Sequence, residues 1–227
     1  MDLEIGNFVN YLFRWIHFFA GVTWIGVLYY FNFIQGEFFK EAEAGVKSAV
    51  ISKLVPKALW WFRYGALLTF LSGLALAGYL ADAVNYYITI AMIMGTFMFL
   101  NVWLIIWPAQ KIVIASTDQV IAGGEADPAA AGALAKAGLA SRTNTLFSLP
   151  MLFFMGASGH LLGAGRVPMS ADVGGVSMLA MILTLLIVLG IEANAIKGKQ
   201  GPMTSVVGVI HSGIGLGVIL LLIMELL

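Results

Sequence analysis

Six stretches of this chain run for about twenty residues or more with almost no charge, and that limits its fold more than any motif does. Lipid offers no hydrogen bonds to an open backbone, so such a run crosses a bilayer only as a helix that closes its own amides. The runs lie near 8–35, 57–80, 86–108, 144–164, 174–193 and 205–226. They predict an all-α fold: a polytopic membrane helix bundle, one domain over 1–227, with about six transmembrane helices. Composition agrees, at 60% hydrophobic and 11% charged, against about 45–50% and 25% in soluble domains. There is no cysteine, which removes disulfides, cysteine-held zinc, iron–sulfur clusters and covalent c-type haem. The charges sum to zero and fall between the runs, so no basic surface invites nucleic acid.

The connections set the orientation. The first holds Lys40, Lys47, Lys53 and Lys57, the third Lys111, Lys136 and Arg142, and the fifth Lys197 and Lys199. Those nine cations stand against Arg166 alone on the other side. Cations collect in cytoplasmic loops, so both termini are expected in the periplasm of a bacterial inner membrane. The segment 116–141, rich in Gly and Ala with Pro128, is expected as a cytoplasmic loop with a short amphipathic helix over 129–141. Pro56 should open the second span and Pro108 end the third. The acidic N-terminus lacks the basic residues of a signal peptide, so the first span is expected to be retained.

Inside the first span, Arg14, His17, Gly21 and Trp24 recur at i, i+3, i+7 and i+10, and Leu28, Asn32 and Gln35 continue the same helix face. Ionisable groups in an apolar span usually face a bundle interior or a cofactor. Gly21, one turn below His17, leaves room for something flat. The expected group is a non-covalent haem b with His17 as an axial ligand. Arg14 would pair with a haem propionate or another planar anion, or else reach for the headgroups. Arg63 reads as snorkelling from the inner end of the second span.

His160 and His211 also fall within spans, and two of the three histidines are expected on the iron. At 1.5 Å per residue, His17 lies roughly 13 Å below the outer boundary, His160 roughly 6 Å and His211 roughly 22 Å. Either could therefore complete the pair, while each reads equally well as a hydrogen-bonding group between helices. His160 stands among Gly156, Gly159 and Gly163, and His211 among Gly208, Gly213, Gly215 and Gly217. Such glycines serve close helix packing or a slot for a macrocycle. Trp60-Trp61, Tyr86-Tyr87, Trp103 and Trp107 read as interfacial belts, and Met92, Met94, Met98, Met151 and Met155 as core filler.

Three blocks carry a resemblance: His17-Phe-Phe-Ala-Gly-Val-Thr-Trp-Ile-Gly-Val-Leu-Tyr-Tyr-Phe-Asn-Phe33, Asn101-Val-Trp-Leu-Ile-Ile-Trp-Pro-Ala-Gln-Lys111 and Asn144-Thr-Leu-Phe-Ser-Leu-Pro-Met-Leu-Phe-Phe-Met155. In this order they resemble the membrane-bound urate hydroxylase family, the urate oxidase N-terminal domain of bacteria. The resemblance implies a multi-span membrane domain engaged in urate oxidation. In that family the domain usually continues into a C-terminal cytochrome c. This sequence offers no cysteine for one, so the electron acceptor is expected to be a separate c-type cytochrome or a respiratory complex. After Met155, where a His-containing block is expected, the chain reads Gly156-Ala-Ser-Gly-His160.

Two functions stand side by side. One is a haem-b membrane oxidoreductase passing electrons to a cytochrome. The other is a non-catalytic subunit of a larger membrane complex, homo- or hetero-oligomeric, with structural histidines. A transporter is disfavoured, since no paired broken helices or buried carboxylates mark a midplane site.

Overall fold

The computed structural model describes residues 4–170 and 175–227. The expected start of the fifth span at 174 lies outside the described residues, as do residues 1–3 of the acidic N-terminus. Among the described residues the apolar runs fold into helices as the backbone demands, and with one short connecting helix they make seven. These are α1 (Ile5–Glu41), α2 (Ala44–Lys53), α3 (Val55–Leu80), α4 (Tyr86–Ile121), α5 (Ala130–His160), α6 (Met178–Lys197) and α7 (Val206–Leu226). Asn85, Ser177 and Ser205 cap α4, α6 and α7, each accepting from the N–H three residues on.

Five helices, α1, α3, α4, α6 and α7, are long and apolar enough to cross a membrane. The sixth long helix, α5, has another character. Its residues Arg142 to Ser148 are all buried, although five of the seven are polar or charged. It packs against α1, α4, α6 and α7 and forms the axis of the bundle. Antiparallel neighbours are read from their contacts: Phe13 with Tyr79 for α1 and α3, and Asn85 with Ser158, then Asn144 with Met98, for α4 and α5. α7 runs parallel to α5, with Gly213 at Leu146 and Glu225 at Ala164. The start of α1 and the end of α7 therefore share one end of the bundle.

Two prolines behave unlike stop signals. α4 runs through Pro108, and the π-helical turn Asn101–Ile106 lies directly before it. That turn absorbs the backbone bond a proline cannot make. Pro150 sits inside α5 and leaves the carbonyl of Leu146 without its i+4 donor. Gly213 of α7 packs on that carbonyl, and a Cβ there would come 2.8 Å from Leu146 O.

Within 116–141, helix covers more than the expected 129–141: α4 continues to Ile121, and the helix from Ala130 runs on without a break as α5. Its alanines favour helix wherever packing allows, and Ala109, Val113, Ala133 and Ala137 form a small cluster that joins the two extensions. Tyr86 and Tyr87, expected at a membrane boundary, are buried. Tyr86 Oη lies 2.6 Å from Thr184 Oγ1, and Tyr87 Oη donates to Glu225. Met94, Met98, Met151 and Met224 fill the core.

Candidate functional site: a polar centre in an apolar bundle

The stripe of the first span is real, but its partner is a protein helix. His17 Nδ1 lies 3.1 Å from Ser72 Oγ on α3, and a Cβ on Gly73 would stand 3.1 Å from His17 Cε1. The gap at Gly21 is closed by Thr69, whose Cγ2 lies 3.9 Å from a notional Cβ there. Trp24 is buried with its Nε1 unpartnered. Its backbone meets Gly65, where a Cβ would come 3.1 Å from Trp24 N. Small residues let two helix backbones approach in this way, so this face is the α1–α3 seam. Arg14 is exposed and its Nε donates to Asn10 Oδ1 at 2.8 Å, one turn along the same helix. Arg63 stacks on Trp107 with its Cζ 3.5 Å from the ring centroid, a cation–π contact.

The other histidines stand apart. His160 ends α5, and its Nδ1 lies 3.0 Å from Gly156 O. His211 on α7 is likewise exposed, with Nδ1 2.8 Å from Val207 O. Each ring thus has its Nδ1 held by its own helix. Because Gly213 meets Leu146, His211 lies about 20 Å along the bundle axis from His160. α1 and α7 do not pack side by side. No group of three or more His, Cys, Asp or Glu side chains converges among the described residues. The three histidines thus lie on three different helices, α1, α5 and α7.

The polar groups that do converge lie around α5. Asn144 Nδ2 donates to Met98 O at 2.9 Å, which fixes the orientation of that amide. Its Oδ1 accepts from Asn101 Nδ2 at 2.9 Å, and Asn101 Nδ2 also donates to Glu192 Oε2 at 3.1 Å. On the opposite flank, Asn32 Nδ2 donates to Leu28 O and to Ser141 Oγ, and Tyr29 Oη lies 2.8 Å from Ser148 Oγ. Asn32 and Asn101 both sit in π-helical turns, Tyr30–Gln35 and Asn101–Ile106. Such turns widen a helix by one residue and recur at functional sites.

Glu192 is 8% exposed, forms no ion pair among the described residues, and sits in an apolar span. That makes it a candidate proton carrier. It is a buried carboxylate near the end of α6, away from the midplane where none was expected. The signal was an acid in the last turn of the run 174–193; the helix continues to Lys197, which draws it inside. Arg142, counted with a connecting loop, is likewise buried, at 9% exposure.

The fold defines an all-α, multi-pass membrane protein with a polar centre. Residues 78–164 match the family model described as urate oxidase N-terminal, the family the sequence resembles. The match takes in Asn101, Arg142 and Asn144, while His17 lies before it. No curated protein and no solved structure gives a match.

Proposed function

We propose that this chain is a urate hydroxylase-like membrane protein of the bacterial cytoplasmic membrane. It forms the membrane part of a redox system that binds non-covalent haem b and passes electrons to a separate c-type cytochrome or respiratory complex. The match over 78–164 carries this reading, because it takes in Asn101 of α4 and Asn144 of α5, which join the polar centre. The end of the bundle shared by α1 and α7 would face the periplasm and the acceptor.

His17 fits the role of a single ligand. Ser72 holds its Nδ1, and a ring fixed through one nitrogen offers the other in a defined direction. Bound haem would supply one-electron chemistry, while Glu192 would hold a proton at its carboxyl, oriented by Asn101.

Absorbance spectra of the purified protein, expressed with ample haem, test the reading. A Soret band is expected in the wild type. It should be lost in His17→Ala and kept in His160→Ala and His211→Ala. Absence of the band in the wild type would favour a non-catalytic subunit of a larger complex, a second reading that the bonds of His160 and His211 Nδ1 to their own helices support.

A further inference from the structure

Two cations held against one indole repel each other, and an anion placed between them relieves it. Trp107 on α4 is in that position. The Arg63 guanidinium of α3 stacks on it with Cζ 3.5 Å from the ring centroid, and Lys111 Nζ lies 5.5 Å from the same centroid. Arg63 Nε donates to Leu59 O at 3.3 Å, leaving both Nη groups free of protein acceptors among the described residues. The one ion pair among those residues is Lys40 with Glu37, so no carboxylate answers Arg63 or Lys111.

Depth and shape indicate what carries the anion. Trp107 lies roughly 32 Å along α4 from Tyr86, the thickness of a bilayer's hydrocarbon core. The two cations therefore stand at headgroup level, on the end of the bundle that also bears Lys40, Lys47, Lys53 and Lys57. A groove of about 260 Å³ runs beside them between α4 and α5, lined by Leu104, Pro108, Ile112, Ala133 and Lys136 among others. Pro108, Lys111 and Ile112 fall at i, i+3 and i+4 on one face of α4, so Lys111 borders the groove that Lys136 lines from α5. The other side chains of the groove are apolar, and Leu104 at its bilayer end is 67% exposed. Asp127, at the far end, is turned to Ala129 N, which it accepts at 2.8 Å.

We propose that this is a binding site for one anionic phospholipid, with its phosphate between Arg63 and Lys111 and its apolar part in the groove, where Lys136 adds a third positive charge. A guanidinium fork takes two phosphate oxygens at once, and basic pockets between helices at this level suit acidic headgroups. Free phosphate would meet the charges but gain nothing from the groove, so the lipid is the occupant. The proposal requires only that the chain spans a bilayer and is independent of the haem reading.

Native mass spectrometry of the full chain in detergent, titrated with phosphatidylglycerol or phosphatidylcholine, counts the bound lipid. Wild type should bind a single phosphatidylglycerol about tenfold or more tighter than phosphatidylcholine. Lys111→Gln, on an exposed side chain, should weaken that binding about fivefold, the worth of one cation at an anionic surface. Arg63→Gln should weaken it at least as much, and Arg63→Lys should recover part of the loss. Lys47→Gln, on α2 at the same basic end, should leave it unchanged, which separates a site from diffuse surface charge. An excess of inorganic phosphate should not displace the lipid. Equal affinity for the two lipids, equal losses in Lys111→Gln and Lys47→Gln, or displacement by phosphate overturns the proposal.

Discussion

The α1–α3 pair and the α4–α7 bundle hold helices together in lipid by different means. The pair meets along Ala20, Gly21, Gly65, Thr69, Ser72 and Gly73, and its polar link is His17 with Ser72. Its outer face shows Trp15, Phe18, Phe19 and Val22. The bundle is joined instead by Asn101, Asn144, Glu192, Tyr86 and Thr184, in hydrogen bonds that cross three helices. Lipid tails are as apolar as leucine, so neither region gains from hiding hydrocarbon. Small residues give close contact but leave register weakly specified. A network with fixed donors and acceptors specifies register, and its unmet members mark where a ligand can act. That difference puts the buried polar network around α5 and not on the conspicuous stripe of α1.

The largest expected effect is on the network. Asn144→Leu strands Met98 O and one donor of Asn101, and should cost about 2–4 kcal/mol of stability. Unfolding in mixed micelles measures it, and a loss below about 0.5 kcal/mol would mean the centre does not hold the bundle.

Gly65→Val tests the seam. A branched side chain where a Cβ already comes 3.1 Å from Trp24 N should cost about 1–3 kcal/mol. Proteolysis should then open α1 while α4–α7 stay protected. Simultaneous loss of both regions would show that the pair is not a separate unit.

The smallest effect should follow Ser72→Ala, about 0.5–1 kcal/mol, the size of one hydrogen bond between helices in lipid. A larger loss would mean that His17 anchors the seam more than its packing does.

Periodicity and hydropathy determined much of this protein. The apolar runs fixed an all-helical membrane architecture, because lipid leaves the backbone no other partner. The i, i+4, i+7 spacing of His17, Gly21 and Trp24 marked the face of α1 that packs on α3, and the same stripe led on to Asn32 and Gln35. The identity of what covers that face was not legible. A sequence shows which side of a helix turns inward, but the covering surface comes from Gly65, Thr69 and Ser72, some fifty residues away, and only the antiparallel register of α1 and α3 brings them there. Arg142 and Glu192 were misread for a related reason. Hydropathy treats a charge as evidence for water, yet both are buried, Glu192 beside Asn101 and Arg142 against the π-turn of α1. Helix length decided their depth, since α6 reaches Lys197 and α5 starts at Ala130, and that length is set by tertiary packing rather than by local composition.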